Sequence, residues 1–194
     1  MAAHCPLMRE AKMVDRAALP ALALSVRQPW AWAIVHGGKD VENRSPGSIR
    51  AGRMDCRPIA IHAATGMTQE EYEWAVWRFQ QDGISLPRPD ELVRRAIIGI
   101  VDVVAIVDET IKPWCDSVFF GGKTGLGLAN PRAVDAVPAQ GALGYFVWQE
   151  GGALSPSLPW MKKWDRPSGD DGTLSLFPDD APRIKTPEKR PWEK

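Results

Sequence analysis

Cysteine is scarce in this 194-residue chain: Cys5, Cys56 and Cys115 are too few and too scattered for a disulfide scaffold, and none belongs to a CxxC pair. That usage suits a reducing compartment, and a cytoplasmic protein is expected. Long apolar runs are also missing; none approaches the roughly 18 residues that a membrane-spanning helix needs, so no membrane partner is expected. The basic residues near the start, Arg9, Lys12 and Arg16, are interspersed with Glu10 and Asp15, and the apolar stretch after them is broken by Pro20. This is not the layout of a secretory signal. Net charge is absent too, since 24 Lys and Arg balance 24 Asp and Glu. A uniformly basic nucleic-acid coat is thereby excluded, as is an acidic disordered chain. What the chain does have is hydrophobic content, 44%, enough for one good core at this length, and nine tryptophans that need explaining.

Composition divides the chain into three. From Asp165 onward, seven acidic and six basic residues alternate with Pro167, Pro178, Pro182, Pro187 and Pro191. Such a segment buries too little surface to offset the entropy of ordering it. The expectation is a poorly ordered extension over 1–20, one folded domain over 21–164 and a disordered tail over 165–194. An apolar spot at 174–177 is either incidental or a docking segment for a protein partner.

Within the domain, Gln28-Pro29-Trp30-Ala31-Trp32-Ala33-Ile34-Val35-His36-Gly37 predicts a first helix, with Pro29 in its opening turn and Gly37 as a left-handed stop. Thr68-Gln69-Glu70-Glu71 is a capping box. The helix it opens carries Tyr72, Ala75, Val76 and Phe79 at helical spacing, with Gly83 beyond its end. A short third helix is expected over 90–95. Strand-like runs rich in Val and Ile fall at 21–26, 41–44, 57–63, 97–107, 125–129, 133–137 and 143–148. Because the strands do not alternate regularly with helices, a doubly wound sheet is disfavoured. The expected class is α+β, a small β-barrel with two or three flanking helices.

Charge is unevenly placed. Residues 27–62 hold six bases against three acids, a net +3, and residues 63–116 hold five bases against ten acids, a net −5. Bases interleaved with Trp30 and Trp32 suit phosphate pairing combined with stacking on a nucleobase. Alternatively both rings belong to the core; Trp30 shares helical spacing with Ala33 and Ile34, whereas Trp32 lies on another face and is the better candidate for an exposed ring. The densest chemistry is Gly37-Gly38-Lys39-Asp40-Val41-Glu42-Asn43-Arg44. A strand beginning near Asp40 projects Glu42 and Arg44 to one face, and Lys39 enters from the turn. Together they would hold a phosphate or a polar base edge. On a solvated face the same residues would be an ordinary salt-bridged strand.

Three stretches in order, Leu24-Ser25-Val26-Arg27-Gln28-Pro29-Trp30-Ala31, Gly38-Lys39-Asp40-Val41-Glu42-Asn43-Arg44 and Ile59-Ala60-Ile61-His62-Ala63, resemble the ASCH domain of the PUA-like superfamily, whose members show a GxKxxExR signature after the first helix. The resemblance continues through Ile98-Gly99-Ile100-Val101-Asp102-Val103 and Gly141-Ala142-Leu143-Gly144-Tyr145-Phe146, and spans 21–149. It implies a β-barrel whose cleft, lined by the signature, holds RNA or a modified base. Some small members resemble amidohydrolases acting on N4-acetylcytidine, with the signature Lys, a Thr three positions later and a distant Glu. Lys39 matches the Lys, but the third position after it is Glu42. A carboxylate does not replace a hydroxyl nucleophile, although it would serve as a general base to water. Other members are metal-assisted ribonucleases, and the resemblance implies no cofactor except, in that case, a divalent metal as a possible one.

The remaining signals are weaker. His62 ends an expected inner strand and is either structural or turned into the cleft, and His36 suits the carbonyl end of the first helix. No short ligand spacing joins Cys56, Cys115, His36 and His62, so no zinc site is expected. The glycine-rich Phe119-Phe120-Gly121-Gly122-Lys123-Thr124 mimics the end of a P-loop, but position 117 is Ser rather than Gly and a strand follows rather than precedes it. It reads as a loop over the cleft, with Phe120 or Lys123 touching a ligand. The expected nucleic-acid contacts are therefore Arg27, Gln28, Trp32, Lys39, Arg44, His62, Phe120 and Lys123, and in an enzymatic alternative Lys39 and Glu42 are the chemical pair. RNA or a modified nucleoside is the expected partner.

Overall fold

The computed structural model describes residues 18–165. The N-terminal extension up to residue 17 and the tail from 166, with its apolar spot, lie outside the described residues. The elements run β1 (Leu22–Val26), α1 (Trp30–His36), β2 (Val41–Asn43), α2 (Pro46–Ala51), β3 (Pro58–Ala63), α3 (Gln69–Gln80), β4 (Ala96–Asp108), β5 (Thr124–Pro138), β6 (Tyr145–Val147) and α4 (Pro159–Lys163), with a 3-10 turn at Trp114–Asp116. The class is α+β. All six strands form one mixed sheet in the order β2-β5-β4-β3-β1-β6. Only β1 and β3 pair in parallel.

The hydrogen-bond ladder does not close into the expected barrel, because β2 and β6 stand at opposite ends of the order. The sheet is nevertheless strongly curled. In a flat sheet β2 and β1, four strand steps apart, would be separated by roughly 19 Å. Yet Arg44, just after β2, donates a 2.8 Å hydrogen bond to the carbonyl of Ser25 in β1. A second tie joins the two ends, as Tyr145 N–H on β6 donates to the carbonyl of Gly52 after α2 at 3.2 Å.

Apolar side chains cover both faces. On one, Leu24, Val26, Ile59, Ile61, Val101 and Leu126 pack against Ala31, Ile34 and Val35 of α1. On the other, Ala23, Ala60, Ile97, Ile100, Val134 and Val137 form a smaller cluster with Phe146 and Trp148. A third cluster lies between α1 and α3, where Tyr72, Ala75 and Phe79 meet Trp30, Trp32, Trp74, Met161 and Trp164. The tryptophans are accordingly mostly structural, with Trp30 and Trp74 centroids 5.4 Å apart and Trp164 edge-on to Tyr72 at 5.0 Å. Trp32, expected as an exposed ring, is half-buried against this cluster and beside His36.

Three expectations are corrected. No helix forms over 90–95: Pro87 and Pro89 withdraw two backbone donors, and the segment makes a single turn, Glu91 N–H to the Arg88 carbonyl, before entering β4. The runs 125–129 and 133–137 are one strand, since Asn130 and Pro131 are absorbed in a bulge opposite Val101, with Asn130 at φ 51°. Finally, the first helix has Pro29 as its N-cap, and the left-handed residue after it is Gly38, at φ +71°, while Gly37 stays at φ −103°. That turn folds the chain back so that Lys39 N–H also bonds the Ala33 carbonyl. It thereby starts β2 with the Lys39 side chain aimed inward. Among the described residues, no helix is long and apolar enough to cross a membrane.

Candidate functional site

The turn at Gly38 and the short β2 strand bring Lys39, Glu42 and Arg44 into one chain of charges. Lys39 is 5% exposed; its Nζ donates to the Val41 carbonyl and to Glu42 Oε2 at 3.1 Å. The other carboxylate oxygen, Oε1, lies 3.1 Å from an Arg44 guanidinium nitrogen. That guanidinium then bonds the Ser25 carbonyl, and its Nε is buried without a partner. Burial pulls the Lys39 ammonium below its ordinary range, against the opposing attraction of Glu42. Burial would raise the Glu42 carboxyl, but Lys39 and Arg44 together outweigh it and hold it below its ordinary value. Glu42 is therefore ionised at neutral pH, and the pair is internally satisfied. Arg44 is the member of the string with more access to solvent, its side chain 21% exposed against 4% for Lys39.

Beyond Ser25 the string continues on the other face of β1. The parallel register sets Ser25 beside His62, and Ser25 Oγ lies 3.0 Å from His62 Nδ1. His62 Nε2 lies 3.0 Å from the Ala139 carbonyl. A carbonyl accepts only, so Nε2 carries the proton and Nδ1 accepts from the serine hydroxyl. Burial keeps His62 below its ordinary value, opposed in part by the bond to Ala139. Ser25 and His62 line an open cavity of about 490 Å³ together with Ala64, Thr65, Arg95 and the loop 140–143.

The other expected contacts are dispersed. Gln28 is buried, its amide spent on the Val93 carbonyl and the Trp32 N–H. Exposed Arg27 pairs with Glu71 of α3 at 2.5 Å. The glycine-rich loop sits against β2: Ser117 donates to Asp40, Asn43 donates to the Phe119 carbonyl at 2.8 Å and accepts from Gly121 N–H at 2.6 Å. Phe120 is half-buried there and Lys123 exposed. Neither lines the cavity.

Sequence reading passed over Ser25 and Arg95, which the fold brings to His62 from β1 and the start of β4. It also passed over Arg50 and Arg53, exposed on α2 and just after it. The end of α2 abuts the cavity loop, since a Cβ on Gly144 would fall 2.6 Å from the Gly52 Cα. Ser25 was within a recognised stretch, but only the β1–β3 register couples it to His62. Among the described residues, no group of three or more His, Cys, Asp or Glu is placed to hold a metal ion. No protein-family model matches the chain, and no curated protein matches it either.

Proposed function

We propose that this chain is an ASCH-like domain whose curled sheet serves as a PUA-like barrel, and that it binds RNA or a modified nucleoside through Arg44. The observation that carries the reading is the Lys39–Glu42–Arg44 string, in which two buried charges hold a third, partly exposed cation against the Ser25 carbonyl; none of the three lines the cavity. Lys39 and Glu42 are positioning residues in this reading. Their polar atoms are committed to each other and to Arg44, and a phosphate or base edge would meet the guanidinium. Arg50 on α2 and Arg53 just after it, both exposed, would add positive charge for further phosphates.

Fluorescence-anisotropy titrations of the full chain with labelled single-stranded RNA, hairpin RNA and DNA test this. Binding at 50 mM salt should be saturable, favour RNA and weaken about tenfold or more in Arg44→Ala, while Lys162→Ala on α4 leaves it unchanged. If no oligonucleotide binds, or if folded Arg44→Ala binds as tightly as the parent, the reading fails.

A further inference from the structure

The cavity beside the charge string has a composition of its own. Ser25 is half-buried, and its hydroxyl meets His62, 1% exposed, at 3.0 Å. His62 is in turn fixed by Ala139, whose carbonyl accepts a hydrogen bond from Nε2–H and whose N–H is bonded to the Arg95 carbonyl at 3.2 Å. A hydroxyl, an imidazole holding its free nitrogen toward that hydroxyl, and a third group orienting the imidazole are the parts of an activated nucleophile. The loop opposite is shaped around the pair: a Cβ on Gly141 would fall 2.5 Å from His62 Cε1 and 2.6 Å from Ser25 Oγ, so only glycine lets the backbone approach. The N–H groups of residues 140–143 have no backbone acceptor among the described residues.

Arg95 supplies a second recognition element. It lines the same cavity, forms no ion pair among the described residues, and is held at φ 61° by its N–H bond to the Ala63 carbonyl at 2.7 Å. A non-glycine residue kept in the left-handed region costs energy that the surroundings must supply, and such residues cluster at functional sites. With Ala64 half-buried in its lining and Ala142 and Leu143 exposed at its rim, the cavity suits a small acyl compound with a negative group at one end.

We propose that Ser25 and His62 are the nucleophile and base of a hydrolytic site for small carboxylic esters that carry an anionic group, the anion being held by Arg95. Ser25 Oγ attacks the ester carbonyl carbon as His62 Nδ1 takes its proton. The carbon–oxygen bond to the alcohol breaks, and His62 returns the proton to the departing oxygen. Water then repeats the sequence on the acyl-serine, releasing the carboxylic acid and restoring Ser25. While protonated, His62 donates from both nitrogens, to Oγ and to the Ala139 carbonyl. This site stands apart from nucleic-acid binding by Arg44, and either can fail without the other.

The test uses the full chain with a fluorophosphonate probe and with 4-nitrophenyl hemisuccinate as the anionic ester. One covalent adduct is expected by intact mass, mapping to Ser25 and absent from Ser25→Ala. General-base assistance is worth about 10²–10⁴-fold, so His62→Gln should label at least about a hundredfold more slowly. Arg95→Met should raise KM for the hemisuccinate by a larger factor than it raises KM for neutral 4-nitrophenyl acetate, and an equal effect on both would overturn the assignment of the anion to Arg95. If His62→Gln does not fold, the parent's labelling rate against pH replaces it. The groups facing His62 are the Ser25 hydroxyl, the Ala139 carbonyl, the Phe146 ring and, across the cavity, Arg95, so a rate that rises with pH and then levels off, its midpoint below pH 6.5, reports His62. No adduct on Ser25, an adduct whose rate ignores His62→Gln, or a labelling rate without that pH-dependent rise overturns the proposal.

Discussion

A lysine ammonium withdrawn from water is tolerated only where an opposite charge and further acceptors meet it. Lys39 has both, in Glu42 and the Val41 carbonyl, and Glu42 has a second cation in Arg44. Removing the carboxylate charge leaves a buried ammonium unpaired, so Glu42→Gln should lose about 3 kcal/mol of stability at pH 7 in urea titrations. The pH dependence has a defined sign. Because the native carboxyl sits below its ordinary value of 4.5, its contribution is fully present above pH 4.5. It is lost as pH falls through the lower native value. The parent should therefore lose stability below pH 4.5 more steeply than Glu42→Gln, and parallel profiles would count against the buried pair. Spacing alone was enough to place Lys39, Glu42 and Arg44 together. That Arg44 would reach a carbonyl on β1 was not readable, because the contact depends on the curl of strands far apart in the chain.

Elements were readable where local chemistry decides them. The Thr68–Glu71 box forms on α3 as expected, with Thr68 Oγ1 accepting from Glu71 N–H at 3.1 Å and Glu71 accepting from Thr68 N–H at 2.9 Å. The stripe that follows buries Tyr72, Ala75 and Phe79. Thr68→Ala should cost about 1 kcal/mol, read as a lower urea midpoint with an unchanged slope; no change would mean that tertiary packing alone holds the helix end. The short α2 carried the same kind of signal, with Ser45 accepting from Ser48 N–H and Pro46 in the first turn, and it was overlooked for want of an apolar stripe. Over 90–95 the opposite happened, as helix-compatible residues sat beside prolines and the chain had to straighten for β4. Arg94 shows what the segment does: buried at 4% exposure, it ties the Thr65 carbonyl to that of Pro156. A bond spanning 62 residues has no local signature.

Across the whole molecule the net +3 of residues 27–62 and the net −5 of residues 63–116 do not separate into lobes, since β3 from the first segment pairs with β4 from the second in a single sheet. The folded charge is also sparser than the sequence count. Of the six bases in 27–62, Arg27, Lys39, Arg44 and Arg57 are in ion pairs. Arg50 and Arg53, both exposed, form none among the described residues. With Arg44 they can neutralise two or three phosphates, far fewer than a basic coat would. Single-strand binding loses about 0.7 in log affinity per log salt for each phosphate neutralised, so the expected slope is about −1.4 to −2.1. Reversing both exposed charges, Arg50→Glu with Arg53→Glu, should flatten the slope to about −0.7 and weaken binding uniformly across RNA sequences. Reversing Lys162 and Lys163 on α4 serves as the control and should leave slope and affinity alone. Anisotropy titrations between 50 and 200 mM salt measure all three proteins. A slope steeper than about −4, or one unmoved by the α2 reversals, would place the nucleic acid on another face.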